Sequence, residues 1–396
     1  MCQVPISRRE WLKLSALFTA GGALPLLRSL QARAATEPDA PVRIGYLPIT
    51  DATPLLVAHH NGYFDQQGIR AEKPVLLRSW AQLVEAFIAG QVNVVHLLSP
   101  MTVWARFGSG VPAKVVAWNH VGGSGLTVAP QVSSLRDLGG KTVAIPFWYS
   151  IHNVVLQALL RQEGLTPVAR KGGAAGPGEV KLVVMPPSDM PPALAARQIE
   201  GYIVAEPFNA AAETLGIGKI LRFTGDVWRN HACCVVFMHQ HDLDGRPAWS
   251  QKVVNAIVKA QRWTRDHRAE AAALLSKDGP NRYTPHALPV LRKVLDPDPA
   301  ERGRYLASGA IRHAGWNDKR IDFQPYPYPS YTEELVRRLQ GTLIEGNSAF
   351  LAGLDPRQAA RELVDDRFVR QAIAAAGGPG AFGMVEDFAR REEIAV

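Results

Sequence analysis

The side chains that could do chemistry in this chain sit where apolar runs give way to helical spacing. Thr50 and Asp51 follow the apolar run Val42 to Leu47, and Leu55, Leu56, Ala58, Tyr63 and Phe64 then recur at helical intervals. Either Thr50 or Asp51 caps that helix, or Thr53 does so with Pro54 in the first turn, where a missing N–H costs nothing. Both arrangements leave free backbone N–H groups just past the carboxyl end of a strand, a place suited to an anion or a polar head group. An ordinary strand-turn-helix is the plainer alternative.

Other candidates share that kind of position. Trp80 falls in a loop after a strand, so its ring either faces a ligand or lids the local core. His152 stands just before a helix start. Glu206 ends a strand and begins a helix, where its carboxylate favours the local dipole; a hinge or cap role explains it as well as a ligand contact does. Cys233 and Cys234 are neighbours, which rarely bridge because a disulfide needs Cβ atoms that face each other, and they read as buried strand residues. No C-x-x-C, zinc spacing or Cys–His signature is present. Ser99, Ser124 and Ser150 lack a nucleophile-elbow context, and the histidines show no H-E-x-x-H. The expectation is binding without bond making, with no catalytic residue, no metal ligands and no cofactor.

The elements that must position these residues alternate. Apolar strands are expected at 42–47, 70–77, 92–97 and 115–118, separated by helices such as Ala81 to Ala89, which Gly90 ends. That alternation predicts a parallel, three-layer α/β sheet. The glycine-rich stretch Asn119 to Gly125 reads as a crossing to a second lobe; a phosphate loop is rejected because no G-x-x-x-x-G-K is present. A second strand, loop and helix start follows over Thr142 to Gln162, echoing the opening plan. Two such mouths facing each other would close on a ligand from both sides.

The amino terminus reads as an address. Ser7-Arg8-Arg9-Glu10-Trp11-Leu12-Lys13 is a twin-arginine export motif, followed by an apolar stretch from Leu14 to Leu27 and an Ala32-Arg33-Ala34 cleavage site. Of the formal net charge of +8, +4 leaves with residues 1–34, so the mature chain is only mildly basic. No Lys/Arg stripe with interleaved aromatics appears, so no nucleic-acid partner is expected.

The phrase Ile44-Gly-Tyr-Leu-Pro-Ile-Thr-Asp-Ala-Thr-Pro-Leu-Leu-Val-Ala, with Asn61-Gly-Tyr-Phe-Asp-Gln-Gln-Gly-Ile after it, resembles the opening of the nitrate/sulfonate/bicarbonate group of ABC-importer solute-binding proteins. The run from Val92 to Met101 with Trp80 upstream, Leu135-Arg-Asp-Leu-Gly-Gly-Lys-Thr-Val-Ala, and Ala205-Glu-Pro-Phe-Asn resemble further steps of that family. The resemblance implies a type II periplasmic binding protein: two three-layer α/β lobes joined by a two-strand hinge. It divides the chain into a signal over 1–35, lobe I over 41–122 plus 235–345, lobe II over 123–234, and C-terminal helices over 346–396 packed on lobe I. It also implies a ligand site drawn from Thr50, Asp51, Trp80, Ser124, His152, Glu206 and His231. Ser124 and His231 stand where anion-binding relatives carry Gln and Lys (or, for bicarbonate, Glu). A histidine near neutral pH is mostly uncharged, so this site departs from the nitrate pattern. The expected partners are a small-molecule ligand and a membrane ABC permease, with the protein acting as an extracytoplasmic monomer. The alternatives are an enzyme of the same fold, related to a pyrimidine-precursor synthase, and a sensor-linked binding protein.

Overall fold

Strand β1 (Ile44–Tyr46) is wholly buried and feeds a 3-10 turn over Thr50–Ala52 that runs on into helix α1 (Thr53–His60). The computed structural model describes residues 40–169, 172–316 and 319–395; the expected export signal lies outside the described residues. Neither cap expected for α1 forms, since no side chain accepts a hydrogen bond at the start of the turn or of the helix. The Thr50 amide goes to the Glu206 carbonyl, the Ala52 and Thr53 amides donate within the turn to the Ile49 and Thr50 carbonyls, and the Thr53 hydroxyl donates back to the Thr50 carbonyl at 2.5 Å.

The first sheet has the order β2-β1-β3-β12-β4, with β2 over Val75–Leu76, β3 over Val94–Leu98, β4 over Ala113–Trp118 and β12 over Cys234–His239. Helix α2 (Trp80–Ile88) connects β2 to β3; Ser79 caps it by accepting from the Gln82 amide. The second sheet has the order β11-β6-β10-β7-β9-β8. Its strands are β6 (Ser124–Val128), β7 (Thr142–Ile145), β8 (Thr166–Val168), β9 (Glu179–Val184), β10 (Gly201–Ala205) and β11 (Lys219–Phe223). Helix α3 (Ile151–Gln162) follows β7, and α4 (Phe208–Thr214) follows β10.

The sheets are mixed rather than parallel throughout. β12 runs antiparallel to β3 and β4, and β6 antiparallel to β10 and β11. The physical reason is the connectivity. The strand that arrives from the other sheet enters without a crossover helix, so it need not share its neighbours' direction. Residues 119–123 carry the chain from β4 to β6, and residues 224–233 return it from β11 to β12. A short strand β5 (Val121–Gly122) within the first crossing pairs antiparallel with β13 (Ile321–Asp322). Gly123 there has φ +75, and a Cβ would meet Ile321 Cδ1 at 2.9 Å, so only glycine fits.

Helix α5 (Pro247–Asp266) packs on α1 and on the late helix α9 (Arg367–Ala375); α7 (Pro329–Gln340) packs on α8 (Pro356–Leu363). Between α5 and α7 lies α6 (Pro299–Ser308). Tyr305, Leu306, Ala310 and Ile311 at and beyond its end form an apolar group with Ile220 and Phe223 of β11. Thus part of the stretch 235–345 also touches the second sheet.

Candidate functional site

The two crossings place both ends of the sheets around one group of buried polar side chains. From the first sheet come Asp51, in the turn ahead of α1, His96 on β3, and Cys234, the first residue of β12. His120 lies on the first crossing, and His231 and Cys233 lie on the second. From the second sheet come Ser124, the first residue of β6, and His152, in the first turn of α3, whose start Ser150 caps by accepting from the Asn153 amide. Every one of these side chains is buried, with Asp51, His120, His152 and His231 at 0% exposure.

Across the gap the contacts are short. His152 Nε2 lies 2.9 Å from Ser124 Oγ and 3.8 Å from Cys233 Sγ, and Ser124 Oγ is also 3.8 Å from that sulfur. His120 Nε2 is 2.8 Å from Asp51 Oδ2 and 3.3 Å from the Cys234 amide. Apart from that ring nitrogen, neither Asp51 oxygen has a hydrogen-bond donor among the described residues. The Nδ1 atoms of His120, His152 and His231 are likewise unpartnered there. One donor atom each from Asp51, His120, Cys233 and Cys234 falls within 4.8 Å of the others. Cys233 and Cys234 are both free thiols.

The electrostatics follow from burial and from this crowding. Burial pushes the Asp51 carboxyl up to about 6 against the pull of His120. His120 loses to burial but gains more from the Asp51 charge, and ends raised to about 10. His96 and His231 are pushed down to about 3, chiefly by burial, so both rings are neutral. Burial disfavours a Cys233 thiolate, but hydrogen bonding from Cys234 and the nearby His152 and His120 outweigh it and hold Cys233 well below the usual thiol range; Cys234 moves up.

The expected site residues are not all alike. Asp51, Ser124, His152 and His231 face this group. Thr50 instead ties the lobes together: its amide and hydroxyl donate to the Glu206 carbonyl at 2.9 and 3.2 Å. The Glu206 carboxylate is engaged by Arg320 at 2.6 Å and by the Ala210 amide at 3.1 Å. Burial weakens the Arg320 guanidinium, but Glu206 and its neighbours more than restore it, while burial raises the Glu206 carboxyl against the pull of Arg320. Trp80 is not in a loop; it opens α2, is 2% exposed, and lies over His96 with ring centroids 5.5 Å apart. His96 in turn accepts from the Leu47 amide at 2.9 Å. Sequence reasoning missed His96 and His120, and read Cys233 and Cys234 only as buried strand residues, whereas Cys234 opens β12 and Cys233 precedes it beside His152. The signal was a histidine or cysteine on each of the two crossings. A separate cleft of about 190 Å³, lined by Gly122, Arg229, Trp316, Lys319 and others, contains none of the clustered residues.

Two α/β lobes, joined by two crossings and closed over a shared polar group, have the architecture of a periplasmic binding protein. The solved structures agree on this fold. The nitrate-binding protein NrtA from Synechocystis superposes with a TM-score of 0.68, at 19% identity, covering 86% of this chain and 90% of that one. A ligand-binding component of an ABC-type import system from Staphylococcus aureus, crystallised with zinc bound, gives 0.64 at 23% identity, covering 84% and 98%. In sequence, the nitrate/nitrite binding protein NrtA of Nostoc sp. is 26% identical over 265 residues, which is 62% of this chain and only 58% of the relative. Residues 35–276 match the NMT1-like family, and the chain belongs to it.

Proposed function

We propose that the protein is the solute-binding component of an ABC importer, capturing a small polar molecule between its lobes and handing it unchanged to a membrane permease. The observation that carries this reading is the convergence of Ser124 and His152 from the second sheet on Asp51, His120 and Cys233 from the first sheet and the crossings. Unpartnered buried donors and acceptors in that group are what a guest would satisfy on binding. The Thr50–Glu206 hydrogen bonds act as a latch that forms when the lobes shut, and the crossings at 119–123 and 224–233 act as the hinge.

The chain is exported by the twin-arginine route and works outside the cytoplasmic membrane as a monomer. No helix among the described residues is long and apolar enough to cross a membrane. The nitrate-binding and import-system relatives support a transport role, and binding in place of catalysis fits the lack of a nucleophile-elbow context at the serines. The group described above contains no lysine or arginine, so recognition here runs through histidine, hydroxyl and carboxylate contacts rather than through a fixed cation on the protein.

The test is a thermal-shift screen of the mature protein against nitrate, bicarbonate, sulfonates, pyrimidines and amino acids. A ligand held at about a hundred times its Kd adds roughly 2.7 kcal/mol and raises the midpoint visibly. His152→Ala is expected to abolish the shift. If every class leaves the midpoint unmoved, or the shift survives in His152→Ala, the reading is wrong.

A further inference from the structure

The cluster of Asp51, His120, Cys233 and Cys234 contains more donor chemistry than a hydrogen-bonded guest requires. Two sulfurs, one imidazole nitrogen and one carboxylate oxygen lie mutually within 4.8 Å, all fully buried. In a tetrahedral site with Zn–S bonds of about 2.3 Å the sulfurs stand roughly 3.8 Å apart, so a contraction of about an ångström would bring the set onto one ion. Calcium and magnesium are poor fits, because they take all-oxygen shells. Thiolate with imidazole and carboxylate is a zinc-type donor set.

A second observation points the same way. The Asp51 carboxylate is fully buried, and apart from the His120 ring nitrogen 2.8 Å from Oδ2 neither oxygen has a hydrogen-bond donor among the described residues. The His120 ring at 2.8 Å offsets part of the cost of burying that carboxylate, and a cation held by the same four groups would satisfy it together with the two thiols. The backbone already fixes the donors. The Ser99 amide donates to the Cys233 carbonyl at 2.9 Å, and the Asn119 amide to the Cys234 carbonyl at 3.1 Å. Outside the set, His152 Nε2 and Ser124 Oγ each stand 3.8 Å from Cys233 Sγ, placed to hydrogen-bond a metal-bound sulfur.

We propose that Asp51, His120, Cys233 and Cys234 form a binding site for one thiophilic divalent cation of the zinc class. The ion joins the turn ahead of α1 to both crossings, so it occupies the root of the hinge. This site shares Asp51, His120 and Cys233 with the solute-import reading, but it rests on their donor chemistry and has a separate readout.

The experiment uses the full-length exported chain, reduced and stripped with a chelator, and titrated with Co²⁺. The expected result is sulfur-to-cobalt charge-transfer absorption saturating at one ion per chain, which Zn²⁺ then displaces. Cys233→Ala and Cys234→Ala should each weaken binding at least tenfold and diminish those bands; Asp51→Asn should weaken binding while leaving them in place. Circular dichroism establishes that each variant is folded, and the unmutated protein alone is decisive if one is not. Absence of charge-transfer bands in the reduced, unmutated chain overturns the proposal, as does a spectrum unchanged in both cysteine variants. A metal-positive protein that binds none of the screened solutes refutes only the import reading. A solute-binding protein that gives no cobalt spectrum refutes only the metal site.

Discussion

His96 shows how one buried side chain ties pH to stability. Its Nε2 accepts from the Leu47 amide, and burial pushes its pKa down to about 3. In the unfolded chain it titrates near 6.5, so its contribution is fully present above that value and is lost as pH falls towards 3. His231, pushed down to about 3, and His239, to about 4, act in the same direction. Asp51, raised to about 6 by burial, acts the opposite way: its contribution is present below about 3.8 and lost as pH rises through 6. His59 and His286 are lowered by burial too, so below pH 6.5 the lowered histidines favour a loss on acidification against Asp51 and the buried, raised Glu206. His120, raised to about 10, instead contributes stability that is present below 6.5 and lost as pH rises through 10. His96→Gln keeps an acceptor for the Leu47 amide and removes the titration. Its stability should therefore depend less steeply on pH by about one proton, or roughly 1.4 kcal/mol per pH unit, between pH 6 and 4. Chemical denaturation across that range measures the slope, and an unchanged slope would mean that His96 is not a neutral buried ring.

The Glu206–Arg320 pair supplies a second residue-scale outcome. Glu206 is 0% exposed and Arg320 7%. Arg320→Met strands a buried carboxylate and should cost about 3–5 kcal/mol, whereas Glu206→Gln, which can still meet the Ala210 amide, should cost less. Urea midpoints of the two variants give the comparison. Equal losses would place the main value of the pair elsewhere than in its charge.

At the scale of elements, the start of α3 decides where His152 points. Ser150 sits in extended backbone, accepts from the Asn153 amide at 3.1 Å, and donates to the Phe147 carbonyl at 2.7 Å. Ser150→Ala should cost about 1 kcal/mol in stability. If the cap also aims His152, solute affinity should fall by more than that loss explains, which isothermal titration beside urea unfolding would separate. The polar-aromatic loop and the apolar-periodic run were legible in the sequence, but the helix opens at Ile151, so His152 lies inside its first turn rather than just before it. The start of α1 was not legible. Thr50, Asp51 and Thr53 are all good capping types, and the choice against them was made by tertiary contacts: Thr50 is drawn to the Glu206 carbonyl and Asp51 lies beside His120. Trp80 was misplaced for a related reason. Its neighbour Ser79 caps α2, so the ring opens a helix and packs on His96 instead of standing in a loop. Local pattern carries caps when they are satisfied locally, and fails when a partner 156 residues away in sequence takes the hydroxyl.

At the scale of the molecule, the alternation of strands and helices made two lobes readable, while the meeting of Asp51 with Cys233 was not, because it depends on how two crossings stack. One further long-range feature bears on that stacking. The last described residues strap the second crossing from outside: Ala395 donates to the Val227 carbonyl at 2.8 Å, Arg229 to the Glu393 carbonyl at 3.0 Å, and the Trp228 indole to Glu392 at 2.7 Å. Arg390 reaches both crossings at once, donating to the Asn230 carbonyl at 3.1 Å while its guanidinium lies 4.9 Å from the ring of Trp118, the residue where β4 gives way to the first crossing. Removing residues 389–396 therefore takes away the backing of the second crossing without touching any clustered side chain. The truncated protein should unfold at a lower temperature, since Trp228 loses its indole partner and Trp118 its cation contact. Its amides around 227–234 should also exchange with deuterium faster than those of β1, because loss of the strap loosens the crossing before it loosens the sheet. Uniform faster exchange across both sheets would instead mean that the tail stabilises the whole fold, and that the crossing has no independent mobility for it to restrain.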